Sequence, residues 1–253
     1  MIRNLNHVSV TNWDGLEINT NEDFSTKMTL SDGLVLESVF KDLDKRLIQL
    51  IHEFKDGVIV GCVAWLTHEK ILLELSNCKN VQIIVQKEDF LRPDINFGNN
   101  KTWWWELRML YESLECEVLR CRFGGIMEHL SWADQQPVDP IRCVGNYNEA
   151  KLPVFPRSHH KFLVFCEKDA IETNLTNNTE TVTHFSPKAI WTGSFNLTRN
   201  ATMSLENAII LRDNSGENEI INSYLNVYRQ VFSISEPLDW EHIWCEPEYR
   251  IGT

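Results

Sequence analysis

Apolar positions recur along this chain in two rhythms, one helical and one extended. From Val35 to Phe54, Leu, Val, Phe and Ile return at helical spacing, which predicts an amphipathic helix. Asp56-Gly57 closes it, and residues 58–66 (VIVGCVAWL) form a nearly continuous apolar run of strand length, the pattern of a strand buried on both faces. Thr67 is placed to cap a second helix over HEKILLELSN, with Glu69 in its first turn where a carboxylate is favoured. NVQIIVQ (80–86) then predicts a second buried strand. This alternation of helix and strand points to an α/β fold.

The rest of the chain follows the same grammar. Residues 1–34 are mixed and polar, fitting an edge strand and loops, and 91–102 reads as a loop. A helix with aromatic anchors is expected over 102–114, strands over 116–121 and 141–145, and a small helix with turns over 123–140. Loop is expected again before the strand KFLVFC (161–166). The polar, Asn/Thr-rich stretch 167–188 suggests an exposed insertion. AIILRD (208–213) predicts a further buried strand and 217–235 a final amphipathic helix. No linker or internal repeat interrupts the pattern, so residues 1–253 are read as a single domain.

Charge changes this picture in one respect. The net charge of −12 disfavours a protein that simply coats nucleic acid, because phosphate contacts need a basic surface. Residues 151–212, however, hold seven Lys or Arg against five Asp or Glu, a local +2 on an acidic body. That contrast suits a confined phosphate pocket better than a long binding groove. Seven scattered cysteines read as reduced residues, and no run of 18 apolar residues predicts a membrane span. Without an apolar leader at the N-terminus, a cytoplasmic location and no stable membrane insertion are expected. The eight His and seven Cys lack metal-ligand spacing, so no metal and no cofactor are expected.

The most organised chemistry lies in two short blocks. His159-His160-Lys161 opens the apolar run FLVFC, and Gly193-Ser194-Phe195-Asn196 follows AIWT. Side chains two residues apart on an extended chain point the same way, so His159 and Lys161 converge, as do Ser194 and Asn196. Together they supply a nucleophile or acid/base, a fixed cation and neutral donors for an anion, the equipment for breaking a phosphodiester. The triplet His68-Glu69-Lys70 has no such second block and reads as surface residues at a helix start. Trp103-Trp104-Trp105 could stack on bases, but anchoring in a core or interface fits it equally well.

With Glu206-Asn207 downstream, these blocks resemble the phospholipase D superfamily, whose signature joins His-x-Lys to Gly-Ser-x-Asn. The stretch 58–86 is similar, more weakly, to the family's opening strand–helix–strand unit. The resemblance implies a mixed β-sheet flanked by helices on both faces and a metal-independent phosphodiester hydrolysis through a phosphohistidine. It makes His159 the nucleophile or acid/base, Lys161, Ser194 and Asn196 phosphate ligands, and Glu206 the carboxylate that orients an imidazole. Small single-motif members are most often nucleases, so DNA or RNA is the expected substrate. A phospholipid or small-molecule phosphodiester, or a weakened nucleic-acid-binding or scaffold protein, are the alternatives. A mechanism with two histidines implies a homodimer with its active site on the two-fold axis. Two departures stand out: Cys166 occupies the position of the family's Asp, with Asp169 three residues late, and 32 residues separate Lys161 from Ser194.

Overall fold

The computed structural model describes residues 23–30, 33–92, 101–116, 138–147, 153–154, 157–175, 178–215 and 217–241. Its strands are β1 (Thr26–Thr29), β2 (Val35–Val39), β3 (Val58–Val63), β4 (Val81–Gln86), β5 (Ile141–Val144), β6 (Asn146–Tyr147), β7 (Pro153–Val154), β8 (Lys161–Leu175), β9 (Asn178–Gly193), β10 (Ala208–Arg212) and β11 (Glu236–Pro237). The helices are α1 (Leu43–Glu53), α2 (Glu69–Leu75), α3 (Lys101–Glu112) and α4 (Glu219–Ser233). Nine strands form one mixed sheet in the order β1-β2-β10-β9-β8-β3-β4-β5-β11, while β6 and β7 pair separately. β3, β4 and β5 are parallel, and β8, β9, β10 and β2 alternate in direction beside them.

Helices cover both faces of this sheet, as the resemblance implies. Alternate residues divide it into two cores. Ile59, Val63, Ile83, Leu163, Phe165 and Trp191 face α1, α2 and α3, whereas Val60, Cys62, Ile84, Phe162, Val164 and Ile190 face α4. Because β3 and β4 lie between two layers, every one of their residues is buried. Leu47, Leu50 and Ile51 of α1 are fully buried, and burial of each such side chain stabilises the fold by about 1.5–3 kcal/mol. α4 starts at Asn218, whose side chain accepts from the Ile220 and Ile221 amides at 3.0 and 3.2 Å. The helix is fastened across the layer by the Tyr228 hydroxyl, which donates to the Gln82 amide oxygen on β4.

Three expectations are corrected. The helix expected from Val35 begins only at Leu43; Val35–Val39 is a strand paired with both β1 and β10. Its residues VLESV satisfy either period, and two neighbouring strands offering ladder hydrogen bonds decide for the extended form. Asp42, with φ of 49°, makes the break between strand and helix. The residue at the N-cap of α2 is His68 rather than Thr67. His68 is also no surface residue: it is buried, with Nε2 3.6 Å from Asp44 Oδ2.

The polar stretch 167–188 forms the outer part of the β8–β9 hairpin, paired from Cys166–Pro187 out to Leu175–Asn178. The expected strand at 116–121 is described only at Cys116, which bridges Asn80, and most of 123–140 lies outside the described residues. Among the described residues no helix is long and apolar enough to cross a membrane.

Candidate active site

Three neighbouring strands bring the two blocks to one end of the sheet. The register pairs Phe162 with Thr192 and Gly193 with Ala208, so the start of β8, the end of β9 and the start of β10 lie side by side. Val63 at the end of β3 pairs with Lys161, placing the site at the carboxyl ends of the parallel strands. Strand ends at such an edge leave loop residues free for chemistry while the strands hold them in place.

His159 and Lys161 meet directly. Lys161 Nζ lies 3.1 Å from Nδ1 and 3.3 Å from Nε2 of the His159 ring, and donates to the His159 carbonyl oxygen at 2.9 Å. Partial burial pulls the Lys161 ammonium below the ordinary lysine range, and the Glu206 carboxylate opposes that pull. His160 has a different part: its carbonyl accepts from the Ala64 amide at 2.8 Å and its ring meets Phe162 at 5.5 Å. Burial, followed by the neighbouring Lys161 and His159, holds the His160 imidazole below its usual value.

In the second block the Ser194 hydroxyl donates to Glu206 Oε2 and accepts from the Asn207 amide at 3.1 Å, while the Ser194 amide donates to the Asn207 carbonyl at 3.1 Å. Ser194 is exposed and Asn196 half-buried, with buried Phe195 and Leu197 alternating between them, as a locally extended chain requires. The Asn196 Oδ1 atom is buried and has no hydrogen-bond partner among the described residues. Gly193 is dictated by close approach. A Cβ there would stand 2.2 Å from the Asn207 carbonyl oxygen and 2.7 Å from the Ala208 Cα, so only glycine lets β9 and β10 close on the motif. The carboxylate expected to orient an imidazole is thus hydrogen-bonded within the chain to Ser194.

Two residues beside the motif blocks have no signal in the sequence. Gln86, buried at the end of β4, accepts from the Ser158 amide at 2.6 Å and donates to the Lys87 carbonyl at 3.0 Å, which fixes the segment leading into His159. Gly145, with φ of 117°, makes room for it, since a Cβ would meet Gln86 Nε2 at 2.4 Å. Trp65, beyond β3, places its ring edge-on to His159 with centroids 6.4 Å apart. It ends an apolar run and carries no separate sequence signal.

Cys166 does not enter the site. It is fully buried in the core beneath α4, and desolvation pushes its thiol up to about 12. Of the tryptophan run, Trp104 is buried and stacks edge-on with Trp240 at 5.4 Å, while Trp103 and Trp105 remain exposed. Among the described residues no three His, Cys, Asp or Glu side chains cluster as a metal site would require.

The class this arrangement defines is a mixed α/β protein whose His-x-Lys and Gly-Ser-x-Asn blocks meet at one sheet edge. No family model matches the chain. It is 30% identical over 214 residues to Uncharacterized protein L381 of Acanthamoeba polyphaga mimivirus; the match covers 80% of this chain and 66% of the length of that protein. Among solved structures it is similar to the phospholipase D family member Nuc from Salmonella typhimurium, with TM-score 0.45, 14% identity and coverage of 80% and 97% of the two chains. It is likewise similar to NucT from Helicobacter pylori (TM-score 0.41, 11% identity, coverage 81% and 99%). A third similar structure is the phosphatidylserine synthase of Haemophilus influenzae (TM-score 0.40, 14% identity, coverage 83% and 41%).

Proposed function

We propose that the chain is a single-motif member of the phospholipase D superfamily and hydrolyses phosphodiesters of DNA or RNA without a metal. The reading is carried by one observation: the β8–β9–β10 ladder sets the His159–Lys161 pair beside the Ser194–Glu206 pair at one exposed edge. A ring nitrogen of His159 attacks phosphorus, the bond to the leaving oxygen breaks, and a phosphohistidine forms. Lys161 turns from the His159 carbonyl to a non-bridging oxygen, where its charge counts most as negative charge develops. Asn196 donates to the other non-bridging oxygen through its side-chain amide, and the Ser194 hydroxyl joins it by turning its one hydrogen from Glu206 to the phosphate. Glu206 Oε1 is left to orient an imidazole.

The leaving oxygen needs a proton, and the imidazolium of a second copy's His159 supplies it; that imidazole, now neutral, takes a proton from the water that attacks the phosphohistidine, the P–N bond breaks and the phosphomonoester leaves. The working unit is therefore a homodimer closed on this edge. Labelled single-stranded DNA, duplex DNA and RNA, incubated with the protein in EDTA, test the reading. Cleavage is expected, and His159→Ala is expected to reduce it by about 10³-fold or more. Cleavage that requires Mg²⁺ and survives His159→Ala would overturn the chemistry. Full activity in a species shown by light scattering to be monomeric would overturn the shared site.

A further inference from the structure

Trp65 is set apart from the strand it extends. Residues 58–64 and Leu66 are buried, yet Trp65 is 38% exposed. Its backbone is held from both sides by the two motif segments. The Ala64 amide donates to the His160 carbonyl at 2.8 Å, and the Thr67 and His68 amides both donate to the Leu197 carbonyl, at 2.8 and 2.9 Å. Leu66 and Leu197 also form a parallel bridge. Trp65 therefore sits on a short clamped span between the segment carrying His159 and the segment carrying Asn196. Its ring stands at 86° to that of His159, with the centroids 6.4 Å apart.

The Trp65 indole escapes the collapse that hides Ala64 and Leu66. It is rigidly mounted, partly open and next to the reacting imidazole. A partly open indole beside a phosphate site fits a planar group linked to that phosphate through a short spacer, which is the construction of a nucleotide. Acyl chains and glycerol have no π-face to offer, whereas every base has one. We infer that Trp65 is a positioning residue that stacks an unpaired base next to the scissile phosphate, selecting single-stranded nucleic acid over alkyl phosphodiesters. The inference rests on the phosphodiesterase reading of the same site and names its substrate class.

The test compares two diesters with one leaving group, thymidine 5′-(p-nitrophenyl phosphate) and methyl p-nitrophenyl phosphate, for the wild type and for Trp65→Ala, Trp65→Phe and Trp65→Leu. The ratio of kcat/KM for the nucleoside diester to that for the methyl diester is expected to fall about 5- to 140-fold in Trp65→Ala. Phe should restore most of the ratio and Leu should not, which separates stacking from apolar area. An unchanged ratio in Trp65→Ala, even with both activities lowered together, overturns the inference and makes Trp65 a support for His159. Anisotropy of a labelled single-stranded oligonucleotide supplies the second readout. If the wild type turns over neither diester but binds the oligonucleotide, and Trp65→Ala weakens that binding 5- to 140-fold, the stacking role stands and the hydrolytic reading falls. If the wild type neither binds nor cleaves, both fall. Cleavage of phospholipid vesicles that depends on Trp65 while the nucleoside diester does not would reassign the residue to lipid.

Discussion

Replacing Cys166 by Asp would complete the phospholipase D pattern that the motif resembles while violating the structure around it. The Cys166 side chain is fully buried under α4, among Val58, Val164, Phe185 and Phe232. Desolvation raises its thiol from about 9 to about 12, with Arg229 the cation that opposes the rise. Three powers of ten in an ionisation equilibrium amount to about 4 kcal/mol, and a carboxylate placed there meets a similar charge penalty. Neutralisation by protonation limits the cost at low pH. A carboxyl raised by burial keeps its contribution below its unfolded pKa and loses it as pH climbs through the raised folded value. Cys166→Asp should therefore come closest to Cys166→Ala in urea at pH 4. At pH 8 it should have lost about 4 kcal/mol, read by far-UV circular dichroism. Cys166→Ala serves as the uncharged control. A Cys166→Asp protein as stable as the wild type at pH 8, with a raised kcat, would refute the argument, because the position would then belong to the site.

Two further substitutions probe other joints. Gly193→Ala should cost about 1–3 kcal/mol through forced separation of β9 and β10. It should also lower turnover at temperatures where the protein stays folded; a wild-type Tm with wild-type turnover would show that the approach at Asn207 is not tight. Glu37 receives Arg46 at 2.6 and 2.8 Å, and these hydrogen bonds hold its carboxyl below the ordinary glutamate value against the effect of burial. Its stabilisation is present above the unfolded pKa and lost as pH falls through the lower folded pKa, so Glu37→Gln should cost about 1–2 kcal/mol at pH 7 and progressively less in acid. Thermal melts of both proteins from pH 7 to pH 3 check this, and parallel curves would contradict it.

The central strands were legible because burial on both faces leaves an uninterrupted apolar run, as in VIVGCVAWL and NVQIIVQ. The motif blocks were legible because each is compact along the chain and extended chain geometry alone makes their members converge. Residues 35–39 depart from the expected helix because five residues with mixed polarity fit two periods, and the decision rests with β10, some 170 positions away. Gln86, Trp65 and the burial of His68 were invisible for the same reason. Each owes its place to a loop that is distant in sequence, through Ser158, His159 and Leu197 respectively. The sequence offers His159, Lys161, Ser194 and Glu206 as candidates, but the hydrogen bond between Ser194 and Glu206 comes from the β9–β10 register.

The β8–β9 ladder changes register between Phe165 and Cys166, with Lys188 as the extra residue on β9. Inward of that shift four residue pairs, Phe162–Thr192 to Phe165–Ala189, set where Lys161 stands relative to Ser194. Outward of it the hairpin runs on in its own register. The bulge thus works as a joint that decouples a fixed span from an adjustable arm. Residues can be added to or removed from the arm in cross-strand pairs without moving the two motif blocks apart, so the contour length between Lys161 and Ser194 says little about their separation in space.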